Sequence, residues 1–158
     1  MSEGPSAGQD SRREEDPAAG QATGGPADDA YTRYRRGLEL LSNHSPAAAA
    51  QLLERVADAE PGSMMVREAL ARAQFDAGWY PLAAESFRMI VEESPADDYA
   101  HFGLGLALAR SGDPGHAAEY LALAAAMRPD LPHYAAALRD VRATLRARAQ
   151  RPAADGDA

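Results

Sequence analysis

The chain has 158 residues, no cysteine, a hydrophobic fraction of 46% and a formal net charge of −8. The missing cysteines exclude disulfides, thiolate metal sites and cysteine nucleophiles. The length and apolar fraction admit one modest domain with a core, and because alanine supplies much of that fraction, finely packed helices are favoured over a β-sandwich.

The charge is unevenly spread. Residues 1–29 hold seven acids against Arg12 and Arg13, whereas residues 30–150 hold fifteen acids against thirteen arginines. All sixteen basic residues are arginine. A nearly neutral core without a basic run excludes a nucleic-acid binder that tracks phosphates. The N-terminus lacks the charged start and apolar stretch of a signal peptide, and no window reaches the roughly 18 apolar residues of a membrane span. A cytoplasmic protein with no membrane association is the resulting expectation.

Residues 1–29 contain Gly, Pro, Ala and acids but no aromatic or branched aliphatic side chain, which predicts a disordered acidic tail. From residue 30 onward apolar residues recur at helical spacing, and no period-two alternation marks a strand. The first unit, 30–63, carries Gly37 in one helix; Ser45 and Pro46 open a second, with Ala49, Leu52, Leu53 and Val56 on its buried face. The second unit, 64–97, carries Ala71, a turn at Gly78, Pro81 at the next helix start, then Ala83, Phe87 and Ile90. The third, 98–131, repeats this with Gly105, Gly112, Asp113 as a helix cap, Pro114, Ala117, Leu121 and Ala124. A last helix fills 131–150. Tyr134, Leu138, Val141 and Leu145 share one of its faces, while Arg139, Arg142 and Arg146 lie away from it. Residues 151–158 return to the composition of a disordered tail.

The units share one register. Pro61, Pro95 and Pro129 are 34 residues apart, and the same shift aligns Gly37 with Ala71 and Gly105, Ala49 with Ala83 and Ala117, and Leu53 with Phe87 and Leu121. Small residues in both helices let the backbones approach, and the large apolar one fills the gap to the next pair. A single pair cannot bury its own face, so about three must stack.

This pattern resembles the tetratricopeptide repeat family. The third unit matches best, through Leu104-Gly105, Ala117, Leu121, Ala124 and Pro129; the first departs with Arg36 before Gly37. The family's aromatic positions in the first helix are occupied by Arg33, Arg67 and His101, and by Leu40, Gln74 and Leu108. The resemblance covers residues 30–150. It implies an all-α solenoid of antiparallel helix pairs in a right-handed superhelix, closed by a capping helix. It also implies a non-enzymatic adaptor, scaffold or assembly factor that binds a protein or peptide segment on a concave face. That face would be lined by Tyr31, Tyr34, Leu38 and Leu41, then Met65, Glu68, Arg72 and Phe75, then Tyr99, Phe102, Leu106 and Arg110. Aromatic anchors beside arginine suit binding hot spots. About half of the face, Tyr34 and Phe102 among it, is expected to serve as packing between first helices. The family members that grip a C-terminal carboxylate do so with lysines and asparagines. This chain has no lysine, and its one asparagine, Asn43, lies near a helix end.

No H-E-x-x-H, G-x-S-x-G, P-loop or calcium-loop motif occurs. His44, His101, His116 and His133 lack the i, i+4 spacing of a helical metal site, and His116 with Glu119 reads as a surface pair. Glu92-Glu93 and Asp97-Asp98 read as solvated acids. No cofactor, metal or catalytic residue is therefore expected. Two alternatives stand beside partner binding: a self-associating structural protein, with Leu145 as an exposed apolar candidate, and a dedicated chaperone for a secreted or assembled partner. The acidic tail could in addition fold back over Arg72 and Arg110.

Overall fold

The computed structural model of the chain describes residues 25–153, in which seven helices and no strand occur: α1 (Pro26–Ser42), α2 (Pro46–Ala59), α3 (Met64–Asp76), α4 (Tyr80–Glu93), α5 (Asp98–Arg110), α6 (Pro114–Met127) and α7 (Pro132–Ala149). Proline explains five of the starts. Pro26, Pro46, Pro114 and Pro132 stand first in their helices and Pro81 second, where a missing N–H breaks no intrahelical bond. Side chains cap the remaining two, α3 and α5, and α6 as well: Ser63 Oγ accepts from the Val66 amide, Asp97 Oδ1 from Ala100 at 2.9 Å, and Asp113 Oδ1 from His116 at 3.2 Å. Ser45 departs from expectation. It precedes α2, but its hydroxyl makes no capping bond. Asp97 likewise is a cap and not merely a solvated acid.

α1 begins at Pro26, four residues before the boundary at 30 read from the sequence. Asp28 and Asp29 sit in its first turn, where carboxylates favour the positive helix end. Ala30 then buries itself with Val56 and Val66. The rest of the acidic N-terminal tail, residues 1–24, lies outside the described residues, as do residues 154–158.

Each pair closes with the same turn. The amides of Ser45, Trp79 and Asp113 donate to the carbonyls of Leu40, Gln74 and Leu108, five residues back, at 2.8, 2.8 and 2.9 Å. This link requires a left-handed residue just before it. Gly78 (φ 80°) and Gly112 (φ 89°) supply it in two turns, and His44 (φ 57°) in the first.

The helices pack mainly on their sequence neighbours, with lighter contacts of α1 on α3, α3 on α5 and α5 on α7. First helices therefore form one layer and second helices the other, as in an α-solenoid. Close approach depends on the small residues. A Cβ on Gly37 would stand 2.6 Å from Leu53, and one on Gly105 2.6 Å from Leu121 and 3.2 Å from the Ala117 carbonyl. Phe87 leans forward instead: a Cβ on Gly103, in the next pair, would stand 2.5 Å from its ring. α7 continues the layer of first helices. Its Leu138 and Val141 join the core around Leu121, and the Tyr134 hydroxyl donates to Asp98 Oδ2 at 2.8 Å.

Candidate partner-binding cleft

The layer of first helices exposes side chains one helical turn apart, so α3 and α5 present Arg72, Phe75 and Asp76 opposite Tyr99, Phe102 and Leu106. Between them lies a cleft of about 190 Å³, floored by the Phe87 ring and Gly103. Phe87 meets the edge of Tyr99, with ring centres 6.1 Å apart at 72°. Gly103 leaves the space that this ring occupies, so the floor exists because a residue without a side chain faces a large one.

The walls are held from both sides. Phe102 stacks on Tyr134 of α7 at 4.4 Å and 18°, and meets the edge of His133 at 5.4 Å. Phe75 abuts Tyr80 edge-on at 5.1 Å, and the Arg110 guanidinium lies 5.6 Å over that same Tyr80 ring. Arg110 also donates to the Tyr80 hydroxyl at 3.3 Å. Tyr99 remains 38% exposed, and burial of the rest pushes its phenol above the ordinary range, opposed by nearby Arg72. It stays a neutral hydrogen-bond donor with an apolar body. Burial also raises the Glu68 carboxyl, helped by Asp97 and opposed by Arg72. Arg72 itself is 63% exposed and reaches Asp76 only at 3.9 Å, which leaves most of its donors to solvent. The cleft thus offers an apolar slot with a cation and a phenol at its rim.

The structure brings together Arg72, Phe75, Tyr99, Phe102 and Leu106 at this cleft. Arg110 lies one aromatic ring away and is engaged with Tyr80. Tyr31, Tyr34 and Met65 are elsewhere, around a separate depression of about 250 Å³ with Val56 and Val66. Tyr34, Leu38 and Leu41 pack against the core of the first two pairs. Sequence reasoning missed Asp76, Phe87 and Gly103. The size of Phe87 against Leu53 and Leu121 in its column, paired with a glycine sixteen residues on, was the signal that could have found the floor.

Three of the other polar residues singled out in the sequence make local contacts. His116 pairs with Asp113 at 2.7 Å, not with Glu119. His101 is buried, with Nδ1 2.8 Å from the Asp97 carbonyl. Asp98 takes the Tyr134 hydroxyl. Among the described residues no group of three or more His, Asp or Glu is placed to hold a metal ion, and no helix is long and apolar enough to cross a membrane.

A sequence model described as tetratricopeptide repeat matches residues 34–98 and 92–132. No curated protein is similar enough in sequence to count as a match. Among solved structures, MamA (residues 41 to the end) from Desulfovibrio magneticus RS-1 superposes with a TM-score of 0.71 at 22% identity, over 73% of this chain and 66% of that one. The chain thus spans slightly less than two thirds of that relative's length. The first repeat domain of Spaghetti (RPAP3) bound to the HSP90 peptide SRMEEVD superposes at 0.68 and 16% identity, over 73% of this chain and 92% of the other. The first such domain of human RPAP3 gives 0.67 and 16%, over 75% and 93%. At these identities the likeness is one of fold.

Proposed function

The chain belongs to the tetratricopeptide repeat family, and from that premise we propose that it is a non-enzymatic, cytoplasmic interaction module whose α3–α5 cleft receives a segment of a protein partner. The observation that carries this reading is the cleft itself: a preformed apolar slot between Phe75, Tyr99, Phe102 and Leu106, with the under-used Arg72 guanidinium at its rim. A preformed slot lowers the ordering cost of binding, and a rigid aromatic beside an arginine concentrates binding energy in few residues.

The partner segment that fits carries an apolar side chain for the slot and an acid or carbonyl within reach of Arg72. The RPAP3 domain of the same fold holds an acidic peptide, which supports a groove-bound segment in general terms. This chain lacks lysine throughout, so recognition by a cluster of lysines is not available to it. The apolar slot carries the affinity and Arg72 the orientation.

The test is a double substitution, Arg72→Glu with Tyr99→Ala, at exposed positions that leave Phe75 and Phe102 in their packing. Partner recovery from the native cell falls at least about tenfold, as expected for loss of two central contacts, while the circular dichroism signal is unchanged. Equal recovery with the double variant would overturn the assignment of this face.

A further inference from the structure

A second surface lies on the opposite layer. α2 and α4 flank a cleft of about 400 Å³, with Leu70 and the buried Gln74–Ser86 pair at its floor and Leu82 and Met89 on its wall. Its origin is a local truncation. Ser86 stands in the column that holds Leu52 and Tyr120 in the other pairs, and in the third pair the Tyr120 ring packs near His101 instead. Ser86 leaves that volume open, and its hydroxyl satisfies the Gln74 oxygen at 2.6 Å. Leu82 and Met89 remain 45% and 48% exposed.

The rim is acidic. Glu54, Asp58 and Glu85 line this cleft, and Glu92 and Glu93 line a contiguous hollow that shares Pro61, Arg67 and Met89 with it. None of the five carboxylates has a cation within 4 Å among the described residues. Arg67, the one cation lining the cleft among the described residues, is already engaged: it donates to the Pro61 carbonyl at 2.7 Å and contacts the Met89 sulfur at 3.1 Å.

The complementary surface is on α7. Arg139, Arg142 and Arg146 form a stripe at i, i+3 and i+7 on its exposed face, and none is within 4 Å of a carboxylate among the described residues. Seven residues of helix cover about 10 Å, the same span that separates Glu85 from Glu92 along α4. The long apolar stems of the arginines suit the exposed Leu82 and Met89, while their heads reach the acids.

We propose that the α2–α4 cleft of one copy of this chain receives the arginine-bearing face of α7 from a second copy, giving head-to-tail association. The two surfaces differ and sit on different pairs of the solenoid, so the contact is heterologous and extends into rings or filaments unless it closes. It leaves the α3–α5 cleft free, and it stands or falls apart from partner binding there.

The experiment is sedimentation velocity of the full chain at low and high salt, with two charge-reversed variants. One carries Arg139→Glu, Arg142→Glu and Arg146→Glu; the other carries Glu54→Arg, Asp58→Arg and Glu85→Arg. All six positions are exposed, and circular dichroism confirms that each variant folds. The wild type associates with rising concentration at about 20 mM salt and dissociates at about 0.5 M, where charges a few ångströms apart are screened. Each variant alone associates at least about tenfold more weakly, and their mixture recovers association, since the intact cleft of the first meets the intact α7 of the second and the reversed α7 meets the reversed cleft. The Arg72→Glu, Tyr99→Ala variant associates as the wild type does. A wild type that stays monomeric at low salt up to about 0.5 mM overturns the proposal. So does a mixture of the variants that fails to recover what each has lost, or association that is indifferent to salt.

Discussion

Phe87 occupies a column otherwise held by Leu53 and Leu121, and its extra volume is accommodated in the next pair. Leu53 and Leu121 turn back onto Gly37 and Gly105 of their own pairs, whereas Phe87 turns forward onto Gly103. That choice permits Ala71 where the other pairs have glycine, and it demands glycine where the second and last first-layer helices have Ala69 and Ala137. Gly103→Ala should therefore cost about 1–3 kcal/mol by overpacking, and Phe87→Leu should remove most of that penalty. A urea-unfolding double-mutant cycle reads the coupling, and additive effects of the two changes would contradict this packing. His44 is the second case. It holds the left-handed turn that Gly78 and Gly112 hold elsewhere. His44→Gly should stabilise the chain by about 0.5–1 kcal/mol, as relief of backbone strain outweighs the added chain entropy. The shift in urea midpoint checks it. Both sites were legible as columns of the 34-residue register, yet the columns alone do not say which neighbour a side chain leans on. Gly103 has no glycine counterpart in that register, since Arg35 and Ala69 stand in its column.

At the scale of one element, the start of α6 gathers a cap and an ion pair in two residues. Asp113 accepts from both the His116 amide and its ring, and these bonds hold its carboxyl below the ordinary range; the same carboxylate raises His116 above its usual 6.5. The signs follow. The charged histidine's contribution is full below about 6.5 and fades as pH rises through its raised value, while the aspartate's fades only as pH falls through its lowered one. Support for α6 is thus greatest in the mildly acidic window between them. Asp113→Asn keeps a capping oxygen but removes the charge, so the His116 titration followed by NMR should fall back toward 6.5. An unmoved midpoint would place the cause elsewhere. The sequence pointed to Glu119 as the partner, by helical i, i+3 spacing. The cap residue wins because its side chain folds over the first turn, where the ring of the third residue also lies.

Across the whole molecule, the fold was readable because proline stops, small-residue contacts and the large plug recur together at a fixed 34-residue interval, the signature of stacked helical pairs. The candidate site was half readable. The register states which side chains leave the first-helix layer, so Arg72, Phe75, Tyr99, Phe102 and Leu106 were named together. It does not state how adjacent pairs fit, which is why Tyr31, Tyr34, Leu38 and Met65 belong to a different part of the surface and Arg110 is engaged by Tyr80. The cleft on the second layer was invisible for a related reason. Ser86 is an ordinary residue until its column is seen to leave a space that Leu52 and Tyr120 fill in the other pairs.

Partner binding on the first-helix layer is proposed for the α3–α5 cleft. A photo-reactive phenylalanine analogue placed at Tyr99, and as a control at the exposed Ala126 of α6, tests this directly in the native cell. Cross-linking of a discrete partner from position 99 and not from 126, abolished by Arg72→Glu, is the predicted result. Equal yield from both positions, or cross-linking from position 126 alone, would contradict it.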